Sequence, residues 1–125
     1  MRIILDTNFL MAIAQFKIDI FSEIDRIADF RYDICILDKT VDELKNIIKT
    51  QKGKNKAAAK LALQLIEAKD VKQIETGIGN TDDLIVENAN RNTAVATLDK
   101  ELRRRVKLKK AKLIGIRQKK VAYIE

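Results

Sequence analysis

Short runs of consecutive apolar residues recur along this chain and predict β-strands. Residues 2–5 and 32–37 are mostly apolar at adjacent positions, which is typical of strands that are buried on both faces of a sheet. Shorter or weaker runs predict the remaining strands, at residues 71–75, 94–97, 112–116 and 121–124.

Between these runs, apolar residues recur at intervals of three and four, which predicts amphipathic helices. One helix is expected to begin at Thr40, and residues 52–55 interrupt the pattern before it resumes. Gly77 and Gly79 predict a flexible loop after the third strand. The other helices are predicted at residues 8–15, 18–30, 57–68, 82–90 and 100–109.

Strands that alternate with helices predict an α/β fold around a mainly parallel central sheet. The chain has 125 residues and no proline-rich or glycine-rich linker, so we expect one domain over residues 1–125. In folds of this class, ligands bind at the carboxyl ends of the strands. The polar residues that follow each strand are therefore the first candidates for function.

The charge balance favours a polyanionic partner. The chain has 25 Lys and Arg against 18 Asp and Glu, which gives a net charge of +7. A basic surface of this size attracts nucleic acid. The alternative explanation is the lysine-rich and glutamate-rich surface that is common in heat-loving organisms.

The chain has no histidine and one cysteine, Cys35. These counts exclude imidazole acid–base chemistry, a zinc site built on imidazole, and a thiolate cluster. Any catalysis must therefore use carboxylates, hydroxyls, amines or a metal held by oxygen ligands. Cys35 lies within an apolar run, and no stretch reaches the length of a membrane span, so we expect a reducing, cytoplasmic location and no membrane partner.

Four acidic residues follow predicted strands. Asp6 and Asp99 come just after the first and fourth strands, and Glu43 and Asp82 are expected in the first turns of the helices after the second and third. Because these positions share one edge of a parallel sheet, the carboxylates would repel each other unless a cation neutralises them. Hard oxygen ligands select Mg²⁺ or Mn²⁺ rather than zinc or copper.

Each of these acids also has a structural explanation. Asp99 could be the N-cap of its helix, and Asp82 could interact with a helix dipole. Thr40 and Glu43 have the spacing of a capping box, and for Glu43 taken alone we favour capping. Asp6 is harder to explain in this way, because a carboxylate at the end of a buried strand is costly to desolvate unless it has a partner.

The residues around the four acids resemble the motifs of PIN-domain nucleases. Leu5-Asp6-Thr7-Asn8 is similar to the opening motif of that family, and Thr81-Asp82-Asp83-Leu84-Ile85 is similar to its third acidic motif. Ala96-Thr97-Leu98-Asp99-Lys100-Glu101-Leu102 resembles the last motif. Glu43 falls where the family has a Glu on an early helix. The order and spacing cover nearly the whole chain, which implies the three-layer α/β fold of the family.

The resemblance implies a metal-dependent endoribonuclease. The catalytic residues would hold one or two Mg²⁺ or Mn²⁺ ions, and they are Asp6, Glu43, Asp82 and Asp99. Asp83 is an alternative to Asp82, although the register of the motif favours Asp82. Residues expected to orient these ligands or water are Thr7, Asn8, Asp83, Thr97 and Glu101. The implied reaction is in-line attack of water on a phosphodiester of RNA, in which the metal lowers the pKa of the water and stabilises charge on the phosphate.

Within the family, residues 97–106 and 115–124 are similar to the PIN proteins of the small-subunit processome and to their archaeal relatives. We therefore expect a role in ribosomal RNA processing, with RNA and ribosome-assembly factors as partners. The alternatives are a VapC-type toxin ribonuclease that pairs with an antitoxin, and a catalytically idle RNA-binding scaffold. Domains of this family often pair, so a homodimer is compatible with the chain, although no long unpaired apolar helix requires one. A haloacid-type phosphatase is disfavoured, because Asn8 stands where its second aspartate is needed.

Residues 100–112 contain eight Lys or Arg, while Leu102 and Val106 have the spacing of core-facing positions. This stretch predicts either a solvated helix face or a stripe that positions RNA through its phosphates. The residues expected to contact RNA are Arg103, Arg104, Lys107 and Lys110.

Overall fold

Six strands and six helices make up the computed structural model, which describes residues 1–125. The strands are β1 (Arg2–Leu5), β2 (Asp33–Leu37), β3 (Lys72–Ile74), β4 (Thr93–Ala96), β5 (Lys112–Arg117) and β6 (Val121–Ile124). The helices are α1 (Thr7–Phe16), α2 (Ile20–Ile27), α3 (Asp38–Thr50), α4 (Gly53–Ala68), α5 (Thr81–Asn88) and α6 (Lys100–Leu108).

The strands form one sheet in the order β3-β2-β1-β4-β5-β6. Strands β1 to β5 run parallel, and β6 pairs with β5 in the antiparallel direction. The chain winds outward from β1 to β3 and then crosses to β4 on the other side of β1. The carboxyl ends of β1 and β4 therefore form the switch point at which ligands bind in sheets of this kind. The mainly parallel sheet expected from the sequence is confirmed.

Side chains from each central strand alternate between two apolar clusters, one on each face of the sheet. In β1, Ile3 and Leu5 belong to one cluster and Ile4 belongs to the other. The first cluster packs against α1 to α4, and the second packs against α5 and α6. This division places helices on both faces of the sheet and confirms the three-layer architecture. None of the six helices combines the length and the apolar character needed to span a bilayer.

The predicted start of α3 is wrong, and the capping box is wrong with it. The helix begins at Asp38, so Thr40 lies inside its first turn and Glu43 lies in its second. The Thr40 hydroxyl lies 3.3 Å from the Thr7 hydroxyl instead of capping its own helix. The N-cap of α3 is Leu37, which has no capping side chain, and Asp38 Oδ1 accepts a 2.8 Å hydrogen bond from the backbone N–H of Lys39.

The segment that connects α3 to α4 is also shorter than predicted. Helix α4 begins at Gly53, within the segment that was expected to interrupt the helices. Gly53 has a φ of +65°, a conformation that glycine adopts without steric cost. The chain therefore reverses within two residues and packs α4 beside α3. The second helix is also shorter than predicted, since α2 spans Ile20–Ile27 rather than residues 18–30.

Candidate active site

Asp6 follows β1 directly and lies at the switch point of the sheet. Its backbone N–H donates to the carbonyl of Ala96 at 3.0 Å, which fixes the end of β1 against β4. The side chain is buried, and its Oδ2 accepts a 2.9 Å hydrogen bond from the Thr97 hydroxyl. Burial raises the pKa of Asp6 to about 6, and the negative charges of Asp82 and Glu43 add to this rise.

Thr97 connects Asp6 to the start of α6. While its hydroxyl donates to Asp6, its oxygen accepts a 3.1 Å hydrogen bond from the backbone N–H of Asp99. Asp99 is the N-cap of α6, because its Oδ1 accepts a 2.8 Å hydrogen bond from the N–H of Leu102. The N-cap role considered for Asp99 is therefore confirmed, and it uses only one of the two carboxylate oxygens.

Glu43, in α3, is held by hydroxyl groups from two other helices. Thr7 at the start of α1 and Thr81 at the start of α5 donate to Glu43 Oε1 at 2.7 and 2.8 Å. One carboxylate oxygen thus joins three helices at the carboxyl edge of the sheet. These hydrogen bonds leave Oε2 to face other ligands.

Asp82 and Asp83 are adjacent in α5 but have different surroundings. Asp83 exchanges hydrogen bonds of 2.8 and 2.9 Å with the side chain of Asn80, and its Oδ1 accepts a 2.8 Å hydrogen bond from Arg105. Asp82 makes no side-chain hydrogen bond. Burial raises the pKa of Asp82, and the nearby charges of Asp99 and Glu43 raise it further. The structure therefore brings Asp82, rather than Asp83, toward the other acids.

The four acids share one edge of the sheet without forming a closed cage. No three acidic side chains are arranged to hold a metal ion between them. Their mutual repulsion contributes to the raised pKa values of Asp6 and Asp82, and a divalent cation would relieve it. Asp82 is exposed and makes no side-chain hydrogen bond, so rotation about its side-chain bonds can move its oxygens toward Asp6. Glu43 and Asp99 each keep one carboxylate oxygen outside their hydrogen bonds. All available donors are oxygens, which suits Mg²⁺ or Mn²⁺, and the residues present fit such an ion.

The other residues expected to support the acids differ in their contacts. Thr7 and Thr97 each donate a hydrogen bond to one of the acids. Asn8 is exposed at the start of α1 and makes no side-chain hydrogen bond. Glu101 pairs with Arg104 on the exposed face of α6, and this hydrogen bond lowers its pKa. The structure therefore does not bring Glu101 to the acids.

Arg103 was expected to contact RNA, and one edge of its guanidinium is held within the protein. Its Nη1 donates to the carbonyls of Thr97 and Ile114 at 2.9 and 3.4 Å, and only 17% of the side chain is exposed. Arg103 thus ties α6 to β5 and to the end of β4. The other three residues expected to contact RNA are exposed: Arg104, Lys107 and Lys110.

Sequence reasoning missed two residues that shape this edge. Asp38 follows β2 as Asp6 follows β1, and it accepts hydrogen bonds from the backbone N–H and the hydroxyl of Thr76 at 3.1 and 2.6 Å. The same criterion that selected Asp6 could have found it. Arg105 pairs with Asp83, and its positive charge partly offsets the rise in the pKa of Asp82. Nothing in the basic run of α6 distinguishes Arg105 from its neighbours.

Comparison with known proteins agrees with this architecture. Residues 3–119 match the family described as PIN like domain. Ribonuclease VapC4 of Methanocaldococcus jannaschii is 36% identical over 123 residues, which cover 95% of this chain and 92% of VapC4.

Two solved structures are similar to the fold. The PIN domain endonuclease Utp24 has a TM-score of 0.80 and 23% identity, covering 99% of this chain and 90% of that chain. A chain of VapBC2 from Rickettsia felis, solved with a DNA fragment from its promoter, has a TM-score of 0.63 and 20% identity, covering 92% of this chain and 98% of that chain. At these identities the two likenesses concern the fold alone.

Proposed function

Because the chain belongs to the PIN like domain family, as its motifs predicted, we propose that it is a divalent-metal-dependent endoribonuclease. The active site in this proposal consists of Asp6, Glu43, Asp82 and Asp99. The observation that carries it is the buried Asp6 at the switch point, whose pKa is raised to about 6 with contributions from Asp82 and Glu43. The ribonuclease name of the 36% identical relative supports the reaction class.

The acids and hydroxyls have distinct roles in this proposal. Asp6 is the fixed ligand, because burial and Thr97 hold its carboxylate in one place. Thr7 and Thr81 orient Glu43 so that Oε2 is available. Asp82 has both oxygens free, and Asp99 has the oxygen that does not cap α6. A divalent cation bound by this set would lower the pKa of a water molecule and neutralise charge on the scissile phosphate.

The central experiment compares cleavage of end-labelled single-stranded RNA by the wild type and by Asp6→Asn, in Mn²⁺, Mg²⁺ or EDTA. We expect cleavage by the wild type in either metal, none in EDTA, and at least a 100-fold loss in Asp6→Asn, because the amide removes a metal ligand. Asp83→Asn is the matched control, since it changes the adjacent acid that pairs with Arg105. Cleavage that is unchanged in EDTA, or equal loss in both variants, would refute the proposed site.

Two cellular roles suit this activity. Similarity of residues 97–106 and 115–124 to processing proteins favours ribosomal RNA maturation, and the VapC4 relative favours a toxin that is held in check by an antitoxin. Induced expression separates them. A toxin should arrest growth and be neutralised by the product of an adjacent small gene, whereas a processing enzyme should leave growth unaffected and cut precursor ribosomal RNA at discrete positions. A catalytically idle scaffold is disfavoured, because all four acids are present.

A further inference from the structure

A recess of about 340 Å³ runs along α6, the helix that begins directly after Asp99. Four of its lining residues are basic and recur at helical spacing, so they form one stripe of the helix: Lys100, Arg103, Arg104 and Lys107. The stripe begins one residue after Asp99 and extends for about 10 Å. A polyanion that reaches the acids therefore meets positive charge along this side of α6.

The carboxylate of Glu125 already occupies the recess. Its Oε1 lies 3.3 Å from Arg103 Nη2, and its Oε2 lies 3.8 Å from Lys107 Nζ. Two backbone hydrogen bonds of 2.8 and 3.1 Å to Leu113 hold Glu125 at the end of β6. The recess thus accommodates an oxyanion, and the fold supplies one.

Arg103 is aimed at this oxyanion by its neighbours. Its Nη1 donates hydrogen bonds to the carbonyls of Thr97 and Ile114. The Nη2 edge of the guanidinium therefore faces Glu125 and the Tyr123 hydroxyl. The Tyr123 ring lies across β5 at Gly115. A Cβ at this position would lie only 2.6 Å from the ring, so the ring can pack here because the residue is glycine. The basic side of the recess is therefore built by packing, and one of its cations cannot swing away.

The basic residues outnumber the acids that face them. Glu125 neutralises part of the charge of Arg103 and Lys107, and Glu101 pairs with Arg104 on the outer side of the helix. Among the side chains, four cations against two carboxylates leave an excess of positive charge. A phosphate diester carries one negative charge and accepts hydrogen bonds from Arg and Lys as a carboxylate does.

We propose that this recess binds a backbone phosphate of the RNA beside the scissile phosphate, and that Glu125 occupies the phosphate position in the free protein. The inference rests on the proposed function, because it requires the RNA to reach the acids. The site holds a phosphate rather than a base, so it sets the path of the strand along α6 without selecting sequence. Glu125 weakens binding, since RNA must displace its carboxylate from Arg103 and Lys107.

Removal of the Glu125 charge should strengthen RNA binding. The experiment measures fluorescence anisotropy of a labelled single-stranded RNA in EDTA, so that binding is observed without cleavage. We expect Glu125→Gln to raise affinity roughly threefold to tenfold and to steepen the salt dependence by about 0.7 in the slope of log K against log salt, because one more phosphate is engaged. Glu67→Gln is the matched control, since Glu67 is exposed at the end of α4 and makes the same change in net charge.

Two further arms identify the ligand and the place. Lys107→Gln alone should weaken RNA binding, and it leaves Glu125 in place. In the Lys107→Gln background, Glu125→Gln should give less than half of the increase in RNA affinity that it gives in the wild type. A nucleoside monophosphate or inorganic phosphate should compete poorly, because a single phosphate does not reach both the recess and the rest of the RNA path. Thermal unfolding of each variant checks that the fold is retained.

The outcomes separate this inference from the proposed function. Equal gains in Glu125→Gln and Glu67→Gln, efficient competition by inorganic phosphate, or no RNA binding by any form would overturn the recess as a strand-binding site. Metal-dependent cleavage measured in parallel reports on the acids alone. Cleavage that persists while the recess variants behave like the control would overturn this inference only. Absent cleavage with the expected binding changes would overturn the nuclease, and with it the position beside a scissile phosphate, while the recess would remain an RNA-binding site.

Discussion

At the scale of the residue, the acidic edge costs the fold stability because it holds a carboxylate away from water. Asp6 is 4% exposed, and its pKa is about 6 against an ordinary value of 3.8. The folded protein therefore keeps a proton that the unfolded chain releases between these two values. The contribution of Asp6 to the free energy of unfolding falls as the pH rises from about 4 to about 6, by about 3 kcal/mol, and stays low above that range.

Asp6→Asn should therefore stabilise the metal-free protein at pH 7.5. We expect a gain of about 1–3 kcal/mol in the free energy of unfolding, because the amide has no charge to desolvate and Thr97 can still donate to it. Urea unfolding in EDTA measures the gain, which should disappear near pH 4. Asp83→Asn, which removes an exposed carboxylate from its pair with Arg105, should show no such gain. A variant that is less stable than the wild type at pH 7.5 would contradict the raised pKa of Asp6.

Arg103 and Arg104 are neighbours in α6, but their substitution is expected to change stability by different amounts. Arg103→Lys should lower the free energy of unfolding by about 1–3 kcal/mol, because a single ammonium cannot reach the carbonyls of Thr97 and Ile114 and also face Glu125. Arg104→Lys should change it by less than about 0.5 kcal/mol, since Arg104 is exposed and pairs only with Glu101. Chemical unfolding of the two variants gives the comparison. Equal losses would show that the buried contacts of Arg103 carry no special weight.

At the scale of the element, the strands were the more predictable part of this fold. Apolar runs identified all six strands within about two residues, because each central strand packs on both faces. The start of α3 was missed because Thr40 and Glu43 have the spacing of a capping box. In the structure both side chains turn toward Thr7, which is more than thirty residues earlier. A pattern within one helix cannot reveal a partner on another.

The same limit explains the outcome for the site. Asp6, Glu43, Asp82 and Asp99 could be selected because each follows a strand and falls where the PIN family has an acid, and strand ends meet at one edge of a parallel sheet. The basic residues of α6 could not be sorted in that way. Arg103 turns toward β5 and Arg105 turns toward α5, and this difference depends on how α6 packs rather than on the run of charges.

The loop before α5 is held by the start of α3, and this contact gives a prediction. Asp38 binds Thr76, and Lys39 Nζ donates to the carbonyl of Gly77 at 2.6 Å. We expect Asp38→Ala to increase hydrogen exchange of residues 75–81 and to lower cleavage activity, because this loop leads to Thr81 and Asp82. Asp42→Ala, on the exposed side of the same helix, should change neither. Unaltered exchange in Asp38→Ala, measured by mass spectrometry, would show that the loop is held by other contacts.

At the scale of the whole molecule, negative and positive charges are segregated in a way that suits a cation and a polyanion together. The protein carries a net charge of +7, yet four carboxylates lie along the carboxyl edge of its sheet. Under the proposed function, long-range attraction would bring RNA toward the basic surface, while the local field at the acids would favour a divalent cation. Neither partner alone complements both regions.

Binding of a divalent cation at the acidic edge should stabilise the entire fold, because the unfolded chain lacks the site. At a Mn²⁺ concentration 100-fold above its Kd, linkage predicts that the free energy of unfolding increases by about 2.7 kcal/mol. The Tm should then rise by about 10 °C at pH 7.5. Thermal unfolding with and without Mn²⁺ measures this shift independently of activity. The shift should be smaller at pH 5.5, where a proton on Asp6 competes with the cation.

Variants at two adjacent residues then identify which carboxylate binds the metal. Asp82→Asn should lose most of the Mn²⁺-induced rise in Tm, because this carboxylate has no other partner. Asp83→Asn should keep the rise while starting from a lower Tm, because it breaks the pair with Arg105. A rise that survives Asp82→Asn and is lost in Asp83→Asn would reverse their roles. It would also require α5 to rotate on metal binding, since Asp83 is now held on the side that faces α6.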